Sequence, residues 1–178
     1  MIDCGHLPVD ATPMKLWVIR HAKSSWDDPQ LADFGRPLNA RGKRDGPPMA
    51  RWLATQPEPP SWVVSSDAAR ARATTAFVAE GVRLADDHVL YDHRLYLAEE
   101  DAILDVVREV PQDVRPCAIV GHNPGLSRFV NAMLGQPVVD ELPTFGIAKL
   151  DVPAPWATLQ FGAARLETLF RPKDLSSS

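Results

Sequence analysis

Three places in the chain set an anion-binding or proton-transferring side chain directly behind a short apolar run. Arg20-His21 follows Leu16-Trp17-Val18-Ile19; Ser65-Ser66, with Arg70 close behind, follows Trp62-Val63-Val64; Gly121-His122 follows Cys117-Ala118-Ile119-Val120. A guanidinium beside an imidazole offers a phosphate clamp and a nucleophile together. Transfer of a phosphoryl group needs little more than a positioned nucleophile and positive groups on its oxygens as charge redistributes. Taken singly, each place has a plainer explanation. A histidine behind a strand is more often structural or capping, an arginine in the first turn of an Ala-rich helix is more often on the surface, and Gly121-His122-Asn123-Pro124 makes an ordinary turn and helix start. The plainer explanations leave out that all three occur at the same kind of topological position.

The elements that must position these groups follow from periodicity. The apolar runs, with their β-branched members, read as short buried strands. Asn39 caps a helix whose apolar face runs through Met49, Ala50, Trp52 and Leu53, with Gly46-Pro47-Pro48 interrupting it or delaying its start. Asp67 caps a second helix from 68 to about 82, and a third over 99–110 presents Ile103, Leu104, Val106 and Val107. Pro124 opens a fourth, and Gly135 stops it. Val89-Leu90-Tyr91 is a short strand, and two further strands, over 146–152 and 157–164, read as an antiparallel hairpin at a sheet edge. The alternation implies an α/β fold: a three-layer α/β/α sandwich whose central sheet is mostly parallel with an antiparallel edge strand. Ligands of such sheets bind beyond the carboxyl ends of the strands, so the three groups can meet across one crevice.

A length of 178 residues suits one domain, over 14–171, with an N-terminal extension at 1–13 and a flexible tail at 172–178. Apolar content of 45% and charged content of 24% are ordinary for a soluble globular chain. No apolar run approaches the roughly 20 residues a membrane span needs. Net charge is −4 with Lys and Arg scattered, which argues against nucleic acid as a partner, although a local positive pocket would still focus an anionic substrate. Residues 1–13 lack the pattern of a secretory signal, and Cys4 and Cys117 read as free thiols, so the cytoplasm is the expected location. The histidines show no metal-ligand spacing, and neither metal nor cofactor is expected.

From Met14 to Gly135 the motifs resemble, in order, those of the histidine phosphatase superfamily, also called the phosphoglycerate mutase-like family. Arg20-His21-Ala22 resembles its Arg-His-Gly or Arg-His-Ala hallmark, and Arg36-Pro37-Leu38-Asn39 with Arg41-Gly42 resembles the segment opening its first helix. Ser65-Ser66-Asp67-Ala68-Ala69-Arg70-Ala71 resembles its Ser-Ser-Pro-x-x-Arg-Ala motif. Gly121-His122-Asn123-Pro124-Gly125-Leu126 resembles its last motif as written in the SixA-like phosphohistidine phosphatases. The resemblance implies a phosphohistidine intermediate on His21, with Arg20 and Arg70 holding the phosphoryl oxygens and His122 bonding to the same group. Ser24, in the loop behind the hallmark, joins them as a substrate-binding residue.

The departures bear on substrate. Asp27 stands where many relatives carry Asn, and Asp67 replaces the usual Pro. Mutases and many phosphomonoesterases of the superfamily place a general acid after the second helix. Here that segment reads Asp92-His93-Arg94-Leu95-Tyr96-Leu97-Ala98, the Leu-Tyr-x-Ala pattern of the SixA-like branch, without a clear acid. Asp27, Asp92, Glu99 and Glu100 are the nearby carboxyls, each read first as a solvated charge or a helix-start residue. An alkoxide needs a proton as it departs, whereas phosphohistidine can release neutral imidazole. The leading expectation is therefore a phosphatase acting on phosphohistidine in a protein and releasing inorganic phosphate. The alternatives are a phosphatase for a small sugar or glycerate phosphate, with Lys23, Arg36, Arg41, Lys43 and Arg44 reading a second anion, and a non-catalytic module that recognises phosphate.

Overall fold

A strand covered on both faces must be apolar at every position. β1 (Met14–Arg20) is such a strand over its centre, where Leu16, Trp17, Val18 and Ile19 are fully buried. The computed structural model describes residues 12–177, so Cys4 and nearly all of the expected N-terminal extension lie outside the described residues. The strands β2 (Trp62–Ser65), β3 (Val89–Tyr91), β4 (Cys117–Gly121), β5 (Ile147–Val152) and β6 (Arg165–Phe170) join β1 in one sheet, ordered β3-β2-β4-β1-β5-β6. β1, β2, β3 and β4 pair in parallel; β5 runs antiparallel to β1, and β6 antiparallel to β5 at the outer edge.

Alternation along the strands splits the core into two layers. Leu16, Val18, Val64 and Ile119 face α3 (Glu100–Arg108) and α4 (Gly125–Leu134) through Ile103, Val107, Phe129 and Met133. Trp17, Ile19, Val63 and Val120 face α1 (Ala40–Ala54) and α2 (Ala69–Val82) through Met49, Leu53, Ala71 and Val78. The result is the three-layer α/β/α sandwich.

Register places the chemistry. Arg20 lies opposite Gly121, and Ser65 opposite Val120, so β1, β2 and β4 end level with one another. The ladder continues one step beyond: His21 N–H donates to the Gly121 carbonyl at 3.1 Å, and Ser66 N–H to that of Val120 at 2.9 Å. Two glycines then let neighbouring backbone close in on the loops. A Cβ on Gly42, in the first turn of α1, would stand 2.2 Å from the Lys23 carbonyl oxygen, and one on Gly125 would stand 1.8 Å from that of Ala98.

Several local expectations are corrected. α1 runs unbroken through Pro47 and Pro48, capped as expected by the Asn39 side chain, which accepts from Gly42 N–H at 2.9 Å. The carbonyls the two prolines leave without a helical donor belong to Lys43 and Arg44, both exposed residues. Asp67 does not cap α2; its carboxylate meets His93 Nδ1 at 3.0 Å, and Ala68 holds the cap position. The last strand is β6, not 157–164, because Trp156 is drawn wholly inside, donating Nε1–H to the Val114 carbonyl at 2.9 Å in a 3-10 turn. Pro172–Ser177 forms a 3-10 turn from which Leu175 packs on the layer beneath α1.

Candidate active site

His21 is fixed on every side that is not its reacting edge. Its own N–H is bonded to Gly121, its carbonyl accepts from Phe145 N–H at 3.1 Å, and Ala22 N–H donates to Thr74 Oγ1 at 2.9 Å. Nδ1 stands 2.7 Å from the Ala22 carbonyl, an acceptor, so Nδ1 carries the hydrogen and Nε2 keeps its lone pair. That lone pair faces Arg70 Nε–H at 3.3 Å. Burial above all, then the positive charges of Arg70, Arg20 and Arg36, push the imidazole down to about 4 against the pull of the Ala22 carbonyl. At neutral pH the ring is uncharged, with the lone pair of Nε2 free to act on an electrophile.

His122, from the end of β4, lies 5.0 Å from His21 between ring centroids. Its Nε2 meets Ser66 Oγ at 2.7 Å, while Nδ1 is buried without a partner. Burial first, then His21 and Arg70, hold this ring down at about 3, so it too is neutral. Arg20 donates from Nη1 to the Leu142 carbonyl at 2.7 Å and to Glu141 at 2.9 Å, and its buried Nε has no partner. Buried polar groups are almost always paired. Arg20 and His122 each keep one buried polar atom free of a protein partner. Arg20 also lines an open cavity of about 390 Å3, together with Asn123, Pro124, Ser127, Asp140 and Glu141.

The structure thus brings His21, His122, Arg20 and Arg70 together, as the strand ends require. Ser24 is buried nearby, and its hydroxyl accepts from Arg36 Nη2 at 2.6 Å. Arg36 is likewise buried, its guanidinium 3.2 Å from the centre of the exposed Trp26 ring, whereas Lys23, Arg41, Lys43 and Arg44 are exposed. The acid candidates lie elsewhere. Asp27 is exposed, Asp92 caps a 3-10 turn by accepting from Arg94 N–H, and Glu99 pairs with Arg128 at 2.8 Å.

Sequence reasoning missed Asp33 and Tyr96. Asp33 sits in a 3-10 turn, Asp33–Gly35, where its backbone carbonyl and Oδ2 accept from Arg70 at 2.7 and 3.0 Å. Oδ1 accepts from Arg36 Nη1 at 2.8 Å, and Oδ2 from the Tyr96 hydroxyl at 2.6 Å. Partial burial pushes the carboxyl up, but Tyr96, Arg70 and Arg36 outweigh it and hold Asp33 at about 2. The Tyr96 ring stands edge-on to His122 at 5.5 Å. The spacing Asp33-x-x-Arg36 was the available signal, since residues three apart in a tight turn can pair.

The chain belongs to the histidine phosphatase superfamily, branch 1, whose model matches residues 16–115. A relative in Mycobacterium tuberculosis, the uncharacterised protein Rv1276c, is 31% identical over 164 residues, covering 87% of this chain and all of its own. The solved structure of a candidate phosphohistidine phosphatase SixA from Agrobacterium tumefaciens superposes with a TM-score of 0.77 at 28% identity, over 90% of this chain and 99% of that one. A mycobacterial glucosyl-3-phosphoglycerate phosphatase solved with VO3 shares the fold at a TM-score of 0.65 and 16% identity, over 87% of this chain and 98% of that one.

Proposed function

We propose that this phosphatase hydrolyses phosphohistidine in a protein, without a metal, through a phosphohistidine on its own His21. The observation that carries the reading is the neutral, buried His21 with Nδ1–H locked on the Ala22 carbonyl and Nε2 facing Arg70. Nε2 attacks phosphorus, and the electron pair of the breaking P–N bond returns to the substrate's ring. Arg20 and Arg70 offset the charge on the phosphoryl oxygens. His122 adds a donor in the tautomer that accepts Ser66 O–H at Nε2 and carries its hydrogen on the unpartnered Nδ1. Water then takes the phosphoryl group, and His21 leaves neutral because Nδ1 kept its hydrogen. Neither half requires an outside acid.

Two features of the rim favour this substrate over a glycerate or sugar phosphate. Carboxylates of Asp33 and Glu141 already lie on the pocket arginines, which disfavours a second anionic group on the substrate. On the Asp33 side, Trp26 against Arg36, Phe34 against Tyr96, and Leu97 are exposed apolar side chains, suited to a polypeptide surface. The SixA neighbour supports the same class, being described as a candidate phosphohistidine phosphatase.

A panel of P–N and P–O substrates tests the proposal. Turnover of a phosphohistidine protein well above that of sugar and glycerate phosphates, abolished in His21→Ala and unchanged by a chelator, is the expected result. Comparable rates on the esters would favour a small-molecule phosphatase, and tight binding without turnover a recognition module.

A further inference from the structure

The three nitrogens of the Arg70 guanidinium divide between two residues. Nη1 donates to the Asp33 carbonyl at 2.7 Å and Nη2 to Asp33 Oδ2 at 3.0 Å, while Nε–H meets His21 Nε2 at 3.3 Å. Main chain and side chain of one residue thus grip both terminal nitrogens of a long, buried side chain and leave Nε against the imidazole. Asp33 is itself held on both oxygens, Oδ2 by the Tyr96 hydroxyl at 2.6 Å and Oδ1 by Arg36 Nη1 at 2.8 Å. Arg36 carries the connection on, donating from Nη2 to Ser24 Oγ at 2.6 Å and from Nε to the Ser25 carbonyl at 2.9 Å. Ser24 follows His21 closely in the chain, so the contacts close a ring: His21, Arg70, Asp33, Arg36, Ser24 and back along the backbone to His21.

We infer that Asp33 is a positioning residue that acts through Arg70, aiming the guanidinium so that Nε–H already stands beside the nitrogen that takes up the phosphoryl group. The inference rests on His21 as the nucleophile in the reading above, and not on the leaving group. An arginine left to itself samples many rotamers, and ordering it during the reaction costs free energy that a preset contact avoids. A buried guanidinium also needs a compensating charge, which the Asp33 carboxylate supplies at hydrogen-bond distance. Tyr96 and Arg36 hold that carboxylate from separate loops, so it stays in place when the phosphoryl group draws on Arg70. As Nε2 bonds to phosphorus its lone pair is used up, and Arg70 Nε–H is free to bond a phosphoryl oxygen on that same nitrogen.

A double-mutant cycle tests this, with kcat/KM measured for phosphoimidazole and for p-nitrophenyl phosphate. Asp33→Ala should lower kcat/KM at least about tenfold while Arg70 is present, on whichever of the two substrates turns over. In the Arg70→Ala background the same change should cost less than about threefold, because the residue it acts through is already gone. Should Asp33→Ala fail to fold, Asp33→Asn, of nearly the same size as the native residue, runs the same cycle. A second readout is the Arg70 Nε–H proton, followed by NMR with isotopically labelled arginine. Its exchange with water should quicken at least about tenfold in the Asp33 variant. Losses that simply add across the cycle, wild-type kcat/KM in Asp33→Ala, or unchanged Nε–H exchange would overturn the inference. Wild-type turnover of p-nitrophenyl phosphate with none of phosphoimidazole would instead overturn the phosphohistidine reading, while the cycle still decides the role of Asp33. Turnover of neither would overturn both.

Discussion

Surrounded by positive charge and largely out of water, His21 loses its proton early. Its imidazole should titrate at about 4 and that of His122 at about 3, both from burial reinforced by neighbouring charges. An NMR titration of the two rings checks this, and midpoints at or above the ordinary 6.5 would contradict the electrostatic picture. Arg70→Ala removes the donor facing Nε2 and should lower kcat/KM by about 10²-fold or more. Wild-type rates in that variant would place Arg70 outside the reaction. His21, His122, Arg20 and Arg70 were legible in the sequence because each follows a recognisable strand at a fixed offset. Asp33 and Tyr96 were not, because their roles arise where two polar loops with no periodicity of their own meet across Arg70.

Strands ending level would be of little use if the loops behind them were free to wander. Asn39 pins the start of α1, and Gly42 lets that first turn press on the Lys23 backbone, two residues from His21. Gly125 does the same between α4 and the Ala98 carbonyl that follows Tyr96. Gly125→Ala should therefore cost about 1–3 kcal/mol of stability, or roughly 2–12 °C in thermal midpoint, and reduce kcat/KM together with it. An unchanged midpoint would mean the close approach relaxes freely. At this scale β2 and β3 match the apolar runs that announce them. The missed elements have separate causes, one in solvent and one in the core. α1 passes through two prolines because the freed carbonyls belong to exposed residues. Trp156 is pulled into the core, so the last strand begins later than its apolar pattern implies.

Across the whole molecule, acid works against the fold at two places. Between β1, β5 and β6, the buried Lys149 donates to Glu167 at 2.7 Å and to the Pro57 carbonyl at 2.8 Å, while Lys15 bonds Glu167 at 2.7 Å and also Asp151. Burial pushes Glu167 up, but Lys149 and Lys15 prevail and hold it at about 2. That stability is present above the ordinary value of 4.5 and is lost as pH falls towards 2. The two site histidines act earlier. Unfolded, they take up protons near 6.5, which the folded protein refuses until about 4 and about 3, so stability declines as pH drops below 6.5. Denaturant unfolding as a function of pH should show this decline, and His122→Gln should flatten it between about pH 6.5 and about pH 4. A slope unaltered by that change would contradict the burial of a neutral ring. The alternating order of strands and helices made the sandwich legible from the sequence; the position of β5, between β1 and an outer β6, depends on pairing that no local pattern encodes. The sheet as a whole brings the ends of three distant segments together, and rapid-quench trapping with a labelled phosphohistidine substrate tests most directly whether a phosphoryl group passes through that site. The account predicts a transient, acid-labile and base-stable label on His21 Nε2 that disappears in His21→Ala. A label on any other residue, or turnover with no phosphoenzyme at all, would contradict it.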